Sequence, residues 1–480
     1  MAINKECANI QNTVTFYPTV GDDRKQGILI FDGMQERYYH IEGNYLIDIP
    51  VGVSPDYNKN IEQITSKINK HRRTSKALTV HGSNRLQIVD AVIQLSYDCN
   101  LACTYCYAEQ GSYGSNKNLM DETTAQKAVD FVMANRYGDK VGFCLLGGEP
   151  LINKPVMKSL IDYALRKGEQ QGVEVEFLLT TNGIGLTENL LNWLKKRNVS
   201  IRLSIDGTKE IHDNFRKNHS GEGTYDLVAK KYGKLLKSSG IKYQIRCTYF
   251  GSFANDMVAQ VENLVEKEGY NNVKIDFIWG DKNLPGAINA NNLPEIIKNI
   301  DTLSHWLRNR IAEGMIALNS VHPFSKWINR IERQRNITNI LPQGIRLSDF
   351  HDSGLEENGV ECGAAVNVIS ISTKGEIYSC HRMEGKLEHQ IGNIFQGVNL
   401  LKTQYWHNNW RLTNVASDCS RCWARYICAG GCPAFGVDEY QNPMRNDRDK
   451  CCIRQQFIAN SILIAAAHHK IDIFDMASSD

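Results

Sequence analysis

Three cysteines, Cys99, Cys103 and Cys106, fall within eight residues in the stretch YDCNLACTYCYAEQGSYG. Three converging thiols must hold something, and the count limits what. A structural zinc site takes four protein ligands, and disulfides use thiols in pairs. The spacing C-x3-C-x2-C, on a loop that follows a strand, lets three thiolates meet on one small face. Thiolates hold iron–sulfur clusters, and three ligands leave one iron of a four-iron cubane open. An open iron is a place for a second molecule, as the open position is in a catalytic zinc site. On spacing alone, a zinc knuckle and three ordinary core cysteines remain as other readings.

The chain has 480 residues and 14 cysteines, unevenly placed: eight lie between Cys362 and Cys452, and only Cys7, Cys144 and Cys247 stand alone. In a reducing compartment such clustering points to metal rather than to disulfides. With 42% apolar residues, 22% charged residues and a net charge of +2, there is no electrostatic case for nucleic acid or a membrane surface. No run reaches the roughly 18 apolar residues of a spanning helix. FIANSILIAAAHHKIDIF (Phe457 to Phe474) is broken by Asn460, Ser461 and two histidines, so it reads as a buried helix. The first residues, MAINKECANIQN, lack the regions of a signal peptide, and the expectation is a cytoplasmic protein.

Residues 1–88 contain four β-like runs, NTVTFY, GILIFDG, RYYHIEG and NYLIDIP, then a predicted helix at 57–70 and a basic patch at Lys70 to Arg73. This reads as a small β-rich N-terminal module. From about residue 89 to 320 strands and helices alternate, which argues for an α/β class with a parallel sheet. About six such units without a long linker predict a partial barrel, with chemistry on loops at the C-terminal strand ends. Residues 321–360 read as a bridging segment, within a run of helices over 291–345. In 361–480 periodicity fades and cysteines take over, as in a segment organised by metal. Cys144 and Cys247 fall on predicted strands and read as small buried thiols.

With Tyr105 before the last cysteine of the first loop, the chain resembles the radical SAM superfamily over about 91–460. The resemblance implies a 4Fe–4S cluster on Cys99, Cys103 and Cys106, with S-adenosylmethionine on the open iron. It implies S-adenosylmethionine contacts from GGEP (Gly147, Gly148, Glu149, Pro150), from Thr181 and Asn182 of TTNG, and from Ser204 and Asp206 of LSIDG. Glycines there would let the backbone approach the ligand, and Glu149 would accept from its ammonium. Arg216 of EIHDNFR is a candidate partner for the methionyl carboxylate, since guanidinium suits that geometry.

The C-terminal cysteines resemble the SPASM extension of that superfamily: Cys362, twelve residues, Gly375, four residues, Cys380, then Cys419-x2-Cys422-x5-Cys428-x3-Cys432 and Cys451. Four-cysteine zinc ribbons are the other reading. The resemblance implies one auxiliary 4Fe–4S cluster on Cys419, Cys422, Cys428 and Cys451, and another on Cys362, Cys380 and Cys432. That makes three clusters in all. The second auxiliary set has three members, so its cluster has an open iron or a distant fourth ligand. Cys452 is a possible spare.

The implied function is maturation of a ribosomally synthesised peptide, fed by an external one-electron reductant of flavodoxin or ferredoxin type. A 5′-deoxyadenosyl radical would abstract hydrogen from a peptide carbon, and a cysteine sulfur would bond there as a thioether, as in sactipeptides and ranthipeptides. The partner would be a precursor peptide whose leader pairs with the N-terminal module, winged-helix-like and acting by β-augmentation. Alternatives are carbon–carbon or ether cross-links, a sulfatase-type formylglycine-generating maturase, and a non-catalytic iron–sulfur scaffold.

Overall fold

A computed structural model of the chain describes the backbone strands at 14–20, 26–32, 37–42 and 45–50. It further describes residues 86–251, 257–278, 286–318, 320–322, 324–328, 362–409, 428, 431–442, 445 and 447–469. The four N-terminal runs form β1 (Val14–Val20), β2 (Gln26–Asp32), β3 (Arg37–Glu42) and β4 (Tyr45–Pro50), an antiparallel meander in chain order. The helix expected at 57–70 and the basic patch lie outside the described residues.

The alternating region folds as its period predicts. β5 (Asp90–Gln94), β6 (Lys140–Leu146), β7 (Glu174–Thr181), β8 (Val199–Ser204), β9 (Tyr243–Tyr249), β10 (Val273–Phe277) and β11 (Val321–His322) lie side by side in chain order, all parallel. Between the earlier strands run α1 (Glu122–Ala134), α2 (Lys154–Gln171), α3 (Glu188–Lys195) and α4 (Lys209–Phe215). Asp121, Thr187 and Thr208 cap α1, α3 and α4 by accepting from backbone amides of the first turn. Along β8 burial alternates: Val199, Ile201 and Leu203 pack on Leu190, Leu191 and Leu194, while Ser200, Arg202 and Ser204 point the other way, into the lumen.

The run 224–240, which reads as one helix, is a π-helical stretch at Asp226–Gly233 continued by α5 (Lys234–Ser239). Its cause is Tyr270, whose hydroxyl rests on Gly233 where no Cβ would fit and donates to the Ala229 carbonyl at 3.2 Å. A side chain inserted into the ladder widens the turn. Beyond it lie α6 (Met257–Glu262) and α7 (Leu293–Ala312).

The C-terminal segment departs most from expectation. β12 (Val368–Ile371) pairs in parallel with β5, and β13 (Glu376–Tyr378), β14 (Gln390–Asn393) and β15 (Gly397–Val398) continue antiparallel, so one sheet of eleven strands runs through both regions. Backbone pairing therefore organises the described part of this segment. α8 (Leu400–Asn409), α9 (Pro433–Tyr440) and α10 (Arg448–His469) follow. A second apolar core gathers Ile300, Leu303 and Leu307 of α7, Phe324, Trp327, and Ile453 and Phe457 of α10. Thus Phe457 starts a stretch that is helical as expected, through His469.

The seam between β5 and the C-terminal strands is held by Glu384. It accepts from the Tyr97 hydroxyl at 2.5 Å, the Ser370 hydroxyl at 2.6 Å and the Gln94 amide at 3.5 Å. Burial pushes its carboxyl up to about 7, against those three donors. The folded state therefore favours the proton, so this group's contribution is full below its ordinary 4.5 and lost as pH rises through about 7. Glu384→Gln is expected to flatten the fall in unfolding free energy between pH 5 and pH 8, read by chemical denaturation. An unchanged slope would show that Glu384 does not titrate in that window.

Candidate active site at the strand ends

The cysteine loop leaves β5 at the mouth of the partial barrel. Its entry is fixed by the buried Asn153 amide, which donates to the Leu95 and Met120 carbonyls at 2.9 and 2.8 Å. Cys99, Cys103 and Cys106 are half-buried and line one cavity with Asn182, Arg216 and Arg246. Burial pushes the Cys99 thiol up to about 12, against the Leu101 amide at its sulfur, with Glu149, Cys103 and Cys106 adding to the rise. Burial raises Cys103 also. Three thiolates here need a cationic partner. Among the described residues no three His, Cys, Asp or Glu side chains are close enough for a single metal ion. Three soft thiolate donors on one face are the donor set an iron–sulfur cluster takes.

Gly147 and Gly148 line the same cavity and also hold the loop. A Cβ on Gly147, whose φ is +150°, would lie 2.5 Å from the Ser96 carbonyl, and one on Gly148 would meet the Asp98 carbonyl. The Gly148 and Glu149 amides donate to those same carbonyls at 2.8 and 2.9 Å. Glu149 lines the cavity, and its carboxylate accepts from the Leu151 amide at 2.9 Å, the Thr181 hydroxyl at 2.7 Å and the Asn182 amide at 2.7 Å. It is buried, and burial pushes its carboxyl up to about 7. Pro150 is buried at the start of the 3-10 turn Pro150–Asn153 and does not line the cavity. Asn182 points its amide to Asn100 Oδ1 at 2.7 Å and lies 3.9 Å from Cys99 Sγ.

Tyr105 joins the remaining candidates. Its hydroxyl donates to Asp206 Oδ2 at 2.6 Å and accepts from Arg216 at 2.6 Å. Asp206 has no exposed surface and also accepts from the Thr248 amide at 2.8 Å. It stands behind Tyr105 as a support, which corrects the expectation that it touches the ligand. Arg216 does line the cavity; it is buried, and its Nε has no partner. A guanidinium lining such a site fits a carboxylate. Its backbone is fixed in turn: the Thr224 hydroxyl donates to the Arg216 carbonyl at 2.8 Å and pairs with His212 Nε2 at 3.1 Å. Ser204 lines the cavity as expected. Sequence reasoning passed over Tyr107, Arg246 and Thr248, which line it too. The polar register of IKYQIRCTYF was the signal for the last two.

Of the C-terminal cysteines, Cys362, Cys380 and Cys432 pack in one apolar cluster, and Cys380 lies close enough for Cys432 to raise its pKa after burial does. Cys428 Sγ accepts from Arg454 at 3.9 Å. Cys451 is half-buried and Cys452, beside it in α10, is buried. Cys419 and Cys422 lie outside the described residues. Cys247 is buried as expected and accepts from the Gly207 amide at 3.3 Å, while Cys144 is only half-buried.

Residues 93–251 match the family model of the Radical SAM superfamily, and over this region the chain is a radical SAM domain. That superfamily uses a 4Fe–4S cluster and S-adenosylmethionine. A serine-type anaerobic sulfatase-maturating enzyme of Bacteroides thetaiotaomicron is 25% identical over 358 residues, covering 70% of this chain and 80% of its own. The structure of native anSMEcpe with bound AdoMet and Cp18Cys peptide superposes with a TM-score of 0.61 at 19% identity, covering 80% of this chain and 99% of that one. SuiB of Streptococcus suis bound to precursor peptide SuiA gives a TM-score of 0.52 at 17% identity, covering 84% and 82%. These structures share the fold. In the chain's described helices none is long and apolar enough to cross a membrane.

Tyr105→Phe keeps the ring but removes both hydrogen bonds that set Arg216. The expected outcome is unchanged iron content and about tenfold weaker S-adenosylmethionine binding, measured by anaerobic equilibrium dialysis. Equal affinity would mean that Arg216 is not positioned by Tyr105.

Proposed function

We propose that this chain is a radical SAM maturase of a ribosomally made peptide or protein, and that it forms thioether links between a cysteine sulfur and a carbon. The observation that carries the enzyme reading is the cavity that Cys99, Cys103 and Cys106 share with the Arg216 guanidinium. A 4Fe–4S cluster on the three thiols, with S-adenosylmethionine, supplies one-electron chemistry that removes hydrogen from an unactivated carbon. The chain's own part is placement and exclusion of water. Arg216 would take the methionyl carboxylate, and Asn182 and Ser204 would line its bed. Phe215 and Phe250, stacked at 3.7 Å between centroids, pack behind Tyr105, which lines the cavity.

Cys362, Cys380 and Cys432 would hold one auxiliary cluster, and Cys419, Cys422, Cys428 and Cys451 another. The proposed division is an N-terminal module at 1–88, the radical SAM domain at 89–320, a bridge at 321–360 and a cysteine-rich domain at 361–480. Among the described residues β1 and β4 are the edges of the meander, and either edge would receive a leader peptide. Electrons would come from a flavodoxin or ferredoxin. The likeness to a sulfatase-maturating enzyme over 80% of its length favours a second reading, oxidation of a serine or cysteine to formylglycine.

Co-expression with the peptide encoded beside this gene, followed by fragmentation mass spectrometry, separates the two. A thioether removes two hydrogens per link and protects the cysteine from alkylation; formylglycine reacts with a hydrazide instead. An unmodified peptide, with no 5′-deoxyadenosine released under anaerobic reduction, would sink both. Iron should approach about twelve per chain, and replacing Cys99, Cys103 and Cys106 together by Ala should remove about four.

A further inference from the structure

Beneath the cysteine loop the lumen-facing positions of β8, β9 and β10 carry Arg202, Arg246, Lys274 and Asp276. Arg246 Nε donates to Asp276 Oδ2 at 2.8 Å, and Lys274 Nζ lies 3.4 Å from the same oxygen. Arg202 donates to Gln244 at 3.0 Å, and among the described residues it forms no ion pair. From the C-terminal segment Arg382 closes on the group, its guanidinium 5.2 Å from the Tyr107 ring centre. Among the described residues Arg202, Arg246, Lys274 and Arg382 thus gather about Asp276. Asp90, at the start of β5, interacts with Glu176 and Lys140 instead.

These side chains are not sealed in. Arg246 keeps 28% of its side-chain surface accessible and Lys274 24%, although both sit inside the sheet's curve. Arg246 and Tyr107 also line the cavity of the cysteine loop, so the cationic group and that cavity are continuous. The crowding of like charge shows at Lys274: Asp276 holds its pKa up, but burial together with Arg202, Arg246 and Lys326 brings it down to about 8. Excess positive charge in a partly desolvated lumen is costly unless an anion arrives.

We infer that this lumen binds the carboxylate of an Asp or Glu side chain in the segment of the substrate that is modified, holding that segment against the cysteine-loop cavity. The inference rests on the reading that the substrate is a peptide. Arg202 and Arg382 supply forked donors suited to a carboxylate, and Asp276 orients Arg246 beside them. The acidic residue anchors the chain while a neighbouring carbon faces the cavity.

The test uses two synthetic dodecapeptide libraries, random except for a fixed central Asp in one and Asn in the other. Retention is measured on immobilised holoenzyme under anaerobic conditions, with S-adenosylmethionine saturating so that its own carboxylate is already bound. The Asp library is expected to be retained about tenfold better than the Asn library. Arg202→Gln with Lys274→Gln should abolish that difference at unchanged iron content, and Asp276→Asn should enlarge it, which keeps a readout should the double variant misfold. Equal retention of the two libraries overturns the inference and leaves the peptide reading standing. So does an Asp preference indifferent to all these substitutions, which would place the anion site elsewhere. Retention of neither library above a polyglycine control overturns both.

Discussion

The site depends on a contact between two backbones. The Ser96–Asp98 segment, on its way into the cysteine loop, lies so close to Gly147 and Gly148 that neither position admits a Cβ. The carbonyls of Ser96 and Asp98 take the amides of Gly148 and Glu149, so the loop after β5 and the turn after β6 form one rigid piece. Gly111 closes the far end of the loop against Gly148 in the same manner. Three thiols spread over eight residues keep a common face only if the loop cannot drift, and here backbone hydrogen bonds hold it.

Two buried acids complete that frame. Glu149 ties the turn after β6 to the end of β7, and Glu384 ties β5 to the C-terminal strands. Each collects three donors, and each has its carboxyl pushed up to about 7 by burial. Desolvation and hydrogen bonding oppose one another in both, and desolvation wins. The pair therefore makes the seams of the sheet stiff at the cost of making them sensitive to pH.

Much of this was legible from residue order. Alternation in VGFCLL, EVEFLLTT and VSIRLS is strong because one face of each strand packs on helices, and those strands appear where the pattern placed them. The cysteine loop and Arg216 also came together as expected. What sequence could not carry was partnership across distance. Tyr105 and Arg216 are 111 residues apart, and nothing local to either announces the hydroxyl that orders the guanidinium. The hydrogen bonds of Glu149 are hidden for the same reason, since its donors Thr181 and Asn182 lie at the end of β7. β12 has four residues and few alternations, so its pairing with β5 left no readable trace. The π-helical stretch at Asp226–Gly233 depends on Tyr270, far beyond any window in which helical period is judged.

The lumen shows why such failures concentrate where function sits. A closed parallel barrel fills its interior with branched apolar side chains from alternate positions. β8, β9 and β10 obey the alternation but place Arg202, Arg246, Lys274 and Asp276 at the inward positions. The outward positions, Ile201, Leu203, Ile245 and Val273, supply the apolar core. Stability alone would favour Leu or Val inside as well, since buried charge is expensive even when paired. Arg246 and Asp276 offset part of that cost by their mutual contact, but the excess positive charge is not offset by any described side chain. A fold retains such a cost where a ligand meets it. The partial barrel, left open at the mouth where the cysteine loop sits, therefore uses its outer faces for folding and its lumen for recognition.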